Sequence, residues 1–183
     1  MLKKFLVTAL AIGVSSSAFI SPSFASDLND SNLTSPRISQ SKPYTIPGGK
    51  GTIKSDTWRD NGDGKVSGNT RQWDYQVAAK YTGSGSVEWI ETKWVASANL
   101  RNQASINLGV GSTDASAGSS SSWQAVASEH YARNTKGQKE ASVRRNLVIG
   151  PKSDYKRGSI YVKNTASVKL KGDAKPYRIT SGV

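Results

Sequence analysis

Cysteine is absent from the chain, and His130 is the only histidine among its 183 residues. Without a thiol the protein forms no disulfide and carries no cysteine nucleophile or lipidated cysteine anchor. With one imidazole, neither a zinc site of the usual histidine count nor a triad with a histidine to spare can be assembled. The sequence therefore predicts no metal and no cofactor, and we interpret His130, beside Glu129, as a partly exposed strand residue.

Glutamate is scarce as well, with four residues in the chain: Glu88, Glu91, Glu129 and Glu140. A glycosidase needs two carboxyl groups that converge across a cleft. Glu88 and Glu91 are three residues apart on a predicted strand, where side chains alternate between faces, so they point to opposite sides. The sequence favours a protein that is not an enzyme. Aspartates on distant strands leave an extracellular hydrolase as the third alternative.

All three phenylalanines and the only methionine lie in the first 25 residues. There, two lysines precede an apolar run through Ile20, and Ser23 and Ala25 supply the small residues that a signal peptidase requires. The run is too short and too rich in serine to span a bilayer. We therefore predict a Sec-type signal peptide over residues 1–25, cleaved near Ala25, and a secreted protein. The lack of cysteine in an exported chain favours a bacterial source.

Positive charge is concentrated in the last third of the sequence. Residues 26–132 hold ten basic and ten acidic side chains, whereas residues 133–183 hold thirteen basic and three acidic ones, a net charge of +10. A scattered excess serves solubility, but a segregated one creates a field that attracts polyanions. The distribution predicts an anionic partner.

Short segments of alternating apolar residues, separated by glycine, asparagine and serine clusters, begin at Tyr44. The strongest alternation places five residues on one face between Trp73 and Tyr81. The spacing predicts an all-β fold, a single antiparallel β-sandwich or partly open barrel over residues 44–183. Residues 26–43 are polar and without apolar periodicity, which predicts a short disordered leader.

Local patterns predict three further backbone features. Gly83-Ser84-Gly85 is expected to form a hairpin turn, and the change of apolar parity between Trp89 and Trp94 indicates a bulge or a strand that passes between two sheets. Residues 158–163 and 167–171 are expected to pair as a hairpin around Asn164-Thr165-Ala166. One face of that hairpin would be core, and the other would carry Tyr161, Lys163, Lys169 and Lys171.

The stretch "WRDNGDGKVSGNTRQW", residues 58–73, combines turn residues with carboxylates. Aligned as a calcium loop, it has Arg59 at the first ligand position and Thr70 at the twelfth, where carboxylates are needed. An irregular cage of aspartates is an alternative, but a reverse turn is favoured. Trp58 and Trp73 are then expected to anchor the two joined strands in the core.

The serine-rich residues 112–122 fit a loop, or the polar tip of a hairpin whose return strand is residues 123–131. The membrane-inserting hairpins of β pore formers have a similar composition. A secreted antibacterial or pore-forming protein is therefore the second alternative for function, with this segment inserting or assembling.

The favoured function is a secreted, non-enzymatic β-sandwich protein that binds an anionic polymer or surface. A cell-wall polymer, an anionic lipid and extracellular nucleic acid are equally compatible partners. The expected binding residues are Arg144, Arg145, Lys156, Arg157, Tyr161, Lys163, Lys169 and Lys171.

Overall fold

The computed structural model describes residues 36–110 and 115–183, and the predicted signal peptide lies outside this range. Eleven strands and one 3-10 turn (Lys152–Asp154) occur in the described part. The strands are β1 (Arg37–Ile46), β2 (Gly51–Asp60), β3 (Lys65–Ser67), β4 (Thr70–Thr82), β5 (Val87–Leu100), β6 (Ser105–Asn107), β7 (Ala115–Ser116), β8 (Gln124–Asn134), β9 (Glu140–Gly150), β10 (Tyr161–Leu170) and β11 (Tyr177–Gly182).

The strands form two antiparallel sheets that pack against each other. Sheet A has the order β1-β2-β4-β9-β6-β7, with β3 paired to β4, and sheet B has the order β11-β10-β5-β8. The sheets do not close into a barrel. The predicted antiparallel β-sandwich is therefore confirmed.

Alternating residues of β4 fill the space between the sheets, as their period of two predicts. Trp73, Tyr75, Val77, Ala79 and Tyr81 are all buried. The first three belong to a cluster with residues of β5, β6 and β9, and the last two belong to a second cluster with residues of β2, β5 and β10. The core thus consists of two apolar clusters along the strand direction.

A polar layer lies between the sheets beside these clusters. The amide nitrogen of Asn164 on β10 donates to Ser55 Oγ (3.1 Å) and to the Ala78 carbonyl (2.9 Å), and its amide oxygen accepts from Thr92 Oγ1 (2.6 Å). Ser181 Oγ on β11 is 2.8 Å from Ser55 Oγ. Buried polar groups need such partners, so the layer fixes β10 against β2, β4 and β5.

Two of the predicted hairpins are wrong. Asn164-Thr165-Ala166 continues the single strand β10, because the polar layer satisfies Asn164 inside the sandwich. Residues 83–86 join β4 of sheet A to β5 of sheet B, so they form a crossover between sheets. A bulge is present in β5, but it lies between Val87 and Trp89 and not between Trp89 and Trp94: Lys169 pairs with Trp89 whereas Leu170 pairs with Val87. Trp89 therefore lies on the outer face of sheet B and not in the core.

The chain becomes ordered earlier than its composition suggests. Residues 37–43, predicted to belong to a disordered leader, form most of β1 because their backbone pairs with β2 from Arg37↔Asp60 onward. In the serine-rich segment, residues 112–114 lie outside the described range, and β7 pairs with β6. The following strand, β8, pairs with β5, so the predicted return strand does not pair back onto this segment.

The stretch at residues 58–73 reverses the chain from β2 to β4 through the short strand β3, as the turn prediction requires. Trp73 is fully buried between the sheets. The prediction that Trp58 lies in the core between the sheets is wrong. Trp58 pairs with the outward-facing Gln76, and its ring lies on the outer face of sheet A. There the Arg37 guanidinium covers its ring at 3.5 Å, which explains its burial.

Candidate anion-binding end

Four loops meet at one end of the sandwich. They are the β1–β2 turn (residues 47–50), the β4–β5 crossover (83–86), the β8–β9 crossover (135–139) and the β10–β11 loop (171–176). Five lysines lie on these loops, and we call this end of the protein the lysine end: Lys50, Lys136, Lys139, Lys171 and Lys175.

Hydrogen bonds between the loops hold the lysine end together. The Tyr81 hydroxyl donates to the Lys50 carbonyl and accepts from the Gly85 amide (3.1 Å). Lys139 Nζ donates to the Gly83 carbonyl (2.7 Å), which ties the two crossovers to each other. The Lys171 amide donates to the Ser86 carbonyl (2.9 Å). These bonds hold the backbone at Lys50 and Lys171 in place and tie the Lys139 side chain to the β4–β5 crossover.

Close packing around Gly83 leaves no room for a side chain. A Cβ added at Gly83 would lie 2.5 Å from both the Lys50 carbonyl oxygen and the Tyr81 hydroxyl. Next to this contact, the rings of Tyr44 and Tyr177 stack with centroids 6.5 Å apart and join β1 to β11. The sequence thus needs glycine at this crossover to bring the loops together.

One carboxylate, Asp173, lies among the described residues of these four loops. It pairs with Lys50, whose ammonium lowers the pKa of the Asp173 carboxyl, and the same hydrogen bond raises the pKa of Lys50. The Asp173 backbone carbonyl also accepts a hydrogen bond from Lys169. Within the described range, the other four lysines of this end make no ion pair and are exposed. The end therefore has a local net charge of +4.

The opposite end of the sandwich is also basic, but its cations are more often neutralised. Arg101 pairs with Asp154 at 3.0 Å, and Arg157 pairs with Asp63 at 3.5 Å. Lys152 donates to the neutral Gly68 carbonyl at 2.9 Å and keeps its charge, as Lys139 does with the Gly83 carbonyl at the lysine end. Positive charge available to a partner is thus greater at the lysine end.

The structure disperses the eight residues that the sequence predicted as a binding site. Arg144 lies on the outer face of sheet A with Asp74 (2.7 Å), whereas the adjacent Arg145, by strand alternation, faces inward near Tyr75. Lys156 and Arg157 lie on the loop before β10, at the opposite end from the lysine end.

The other four predicted residues follow β10. Tyr161 and Lys163 are exposed on the outer face of sheet B, and Lys169 on the same face pairs with Glu88 at 3.2 Å. Lys171 lies just beyond the strand, at the lysine end. Lys163 and Lys169 are six residue steps apart along the strand, a distance of about 20 Å. The predicted stripe is therefore extended along the sheet, and Lys171 alone of the eight is a member of the lysine end.

The binding residues predicted from the sequence did not include Lys50, Lys136, Lys139 and Lys175. A signal for three of the loops was present, because a lysine directly precedes a glycine in Lys50-Gly51, Lys136-Gly137 and Lys171-Gly172. Each of these Lys-Gly pairs places a cation next to a glycine, a residue that is typical of turns. That these turns lie at the same end of the protein follows only from the order of the strands in the two sheets.

His130 and the aspartates take structural positions. The His130 ring stacks against buried Trp94 with centroids 5.8 Å apart, and burial lowers its pKa. The Asp60 carboxylate accepts a hydrogen bond from the Asp74 backbone amide, and the Asp63 carboxylate accepts one from the Gly158 backbone amide. Over the described ranges no three histidine, cysteine or acidic side chains group as metal ligands.

No protein-family model matches the chain, and a search of curated proteins finds no match. Within residues 36–110 and 115–183, no helix has the length and apolar character needed to cross a membrane.

Proposed function

We propose that this protein is a secreted, non-enzymatic binding protein for anionic polymers or surfaces, and that the lysine end is its binding site. The observation that carries the proposal is that three loops at the same end of the sandwich carry five lysines and one carboxylate, which pairs with Lys50 alone among the five. A solubility coat does not require cations to converge, whereas a polyanion site does.

The type of cation sets the expected selectivity. All five residues are lysines, whose ammonium groups act as compact point charges, whereas arginine forks give bidentate, geometry-specific contacts. The lysine end is therefore suited to dense negative charge rather than to one chemical group. Cell-wall polymers, anionic lipid headgroups and extracellular nucleic acid all supply such charge.

Neutralising the loop lysines tests this site. The variant K136Q/K139Q/K171Q/K175Q leaves the Lys50–Asp173 pair intact. Each lysine near an anionic surface contributes about 1 kcal/mol, so affinity for a polyanion should fall on the order of 100- to 1000-fold. Binding is measured on vesicles containing anionic lipid, on teichoic acid and on double-stranded DNA. For DNA, the wild-type logarithm of affinity should fall with the logarithm of salt with a slope of about −3 to −4.

The matched control removes four cations elsewhere, in K65Q/K156Q/R157Q/K163Q. It changes the net charge equally and includes three residues of the site predicted from the sequence. Because screening limits the reach of surface charge to about 10 Å, this control should lose about threefold or less. Equal losses in the two variants would refute a localised site. Release of dye from the vesicles would favour the pore-forming alternative instead.

A further inference from the structure

Strand β8 is an open edge of sheet B. Its backbone pairs with β5 from Ile90↔Asn134 to Leu100↔Gln124. In the described part of the chain, no strand other than β5 pairs with β8, and no backbone group outside that pair is hydrogen-bonded to the β8 backbone. An edge strand of 11 residues presents a row of unpaired amide and carbonyl groups to another chain.

The other sheet edges carry features that oppose strand addition. The edge strand β1 contains Lys42 and Pro43, and proline cannot donate to a ladder. The edge strand β11 has six residues and β7 has two. Strand β8 contains neither lysine nor proline. Strand β8 is thus a long edge strand without the lysine or proline residues that oppose the addition of another strand.

The side chains of β8 are complementary to a second copy of β8. In an antiparallel pair with Tyr131 opposite Tyr131, Glu129 of each copy faces Arg133 of the other. Within one copy, Glu129 already contacts Lys93 (2.7 Å), and Arg133 contacts Glu91 (2.7 Å). The pairing would extend these into a row of alternating charges, formed twice across the two-fold axis.

Other registers lack this complementarity. A two-fold axis at Glu129 would oppose two glutamates, and one at Arg133 would oppose two arginines. Axes at His130 or Ala132 place no opposite charge across from either Glu129 or Arg133. Tyr131 is 49% exposed on the outer face of sheet B, so its ring can contact its counterpart there.

We propose that the protein forms a homodimer by antiparallel pairing of β8 with β8 of a second copy, with the two-fold axis at Tyr131. The two four-stranded sheets then become one eight-stranded sheet across the interface. Since the C-terminal end of β8 leads into the lysine end, the antiparallel arrangement makes the two lysine ends face opposite directions. The interface itself does not depend on the proposed function.

Single cysteines introduced into this cysteine-free chain test the register. Residues directly opposite each other in an antiparallel pair have Cβ atoms about 4.5–5.5 Å apart, close to disulfide reach. Under mild oxidation, Y131C should give at least about tenfold more disulfide-linked dimer than Y161C. Tyr161 is an apt control because it is 46% exposed on the same sheet face but lies on β10, away from the edge.

Sedimentation velocity of the wild-type protein and of E129R completes the test. The wild type should sediment as a dimer at micromolar concentration. E129R should dissociate at least about tenfold more readily, because the introduced guanidinium would face Arg133 of the second copy. A monomeric wild type, equal cross-linking of Y131C and Y161C, or a dimer indifferent to E129R would each overturn the proposal.

Discussion

Asn164 is a fully buried amide in the middle of the sandwich, with hydrogen bonds to groups on three other strands. An apolar residue at this position would leave the Thr92 hydroxyl without the Asn164 acceptor and would remove the donor to the Ala78 carbonyl, whereas Ser55 Oγ would keep Ser181 as a partner. Leaving buried donors or acceptors unsatisfied costs about 1–3 kcal/mol each. The residue therefore specifies which strands pack together as well as contributing to stability.

Substitution of Asn164 should accordingly be costly. We expect N164A to lower the free energy of unfolding by about 2–4 kcal/mol, from the lost bonds and the cavity together. Chemical denaturation of the folded protein measures the change. The exposed Asn146 on β9 provides the comparison, and N146A should change stability by about 0.5 kcal/mol or less. Similar losses in both variants would show that the polar layer has no special role.

At the scale of single strands, sequence patterns predicted those elements whose inward face is apolar. Strand β4 was found because five alternating residues from Trp73 to Tyr81 all face the core. For the segment that forms β10, the sequence pattern predicted a hairpin, because Asn164 and Thr165 are polar residues of the kind found in turns. The partners that make Asn164 acceptable, such as Ser55 and Thr92, are distant in sequence. A period-two pattern cannot contain that information.

The β4–β5 crossover shows how one position connects stability with the site. Gly83 has no space for a Cβ, so G83A must separate the Lys50 turn from Tyr81. Forced contacts of this kind typically cost about 1–3 kcal/mol. We expect G83A to lose stability by this amount and to bind anionic vesicles more weakly. Thermal unfolding and vesicle sedimentation measure the two effects.

A second glycine serves as the control for this variant. A Cβ at Gly118 would have its nearest neighbour, Gln124 Oε1, at 3.5 Å, which is an ordinary contact. G118A should therefore leave both stability and binding close to the wild type. If G83A had the stability of the wild type but bound vesicles more weakly, the weaker binding would be caused by the changed loop geometry alone. If G83A were destabilised but bound vesicles as well as the wild type, the β4–β5 crossover would not be part of the binding site.

Over the whole molecule, the sequence predicted the β-sandwich and the excess of positive charge, but not where that charge would be concentrated. Segregation along the chain favoured a sheet face in residues 133–183. In the folded protein, basic residues group at the ends of the sandwich, and Lys50 from the electrically neutral residues 26–132 lies at the same end as Lys171 and Lys175. Strand order and the packing of the two sheets decide which loops meet, and contacts such as Lys50 with Asp173 join segments that are distant in the sequence.

The symmetry of the proposed dimer makes a prediction about the assembled protein. With its two lysine ends facing opposite directions, a dimer should bridge two anionic surfaces, whereas a monomer should coat one. Wild-type protein should therefore cluster anionic vesicles, seen as a rise in turbidity that high salt reverses by screening. E129R should bind the same vesicles by sedimentation yet cluster them at least about tenfold less, because binding needs one lysine end and bridging needs two. K136Q/K139Q/K171Q/K175Q should lose both activities, so that failure of dimerisation and failure of the binding site give different results.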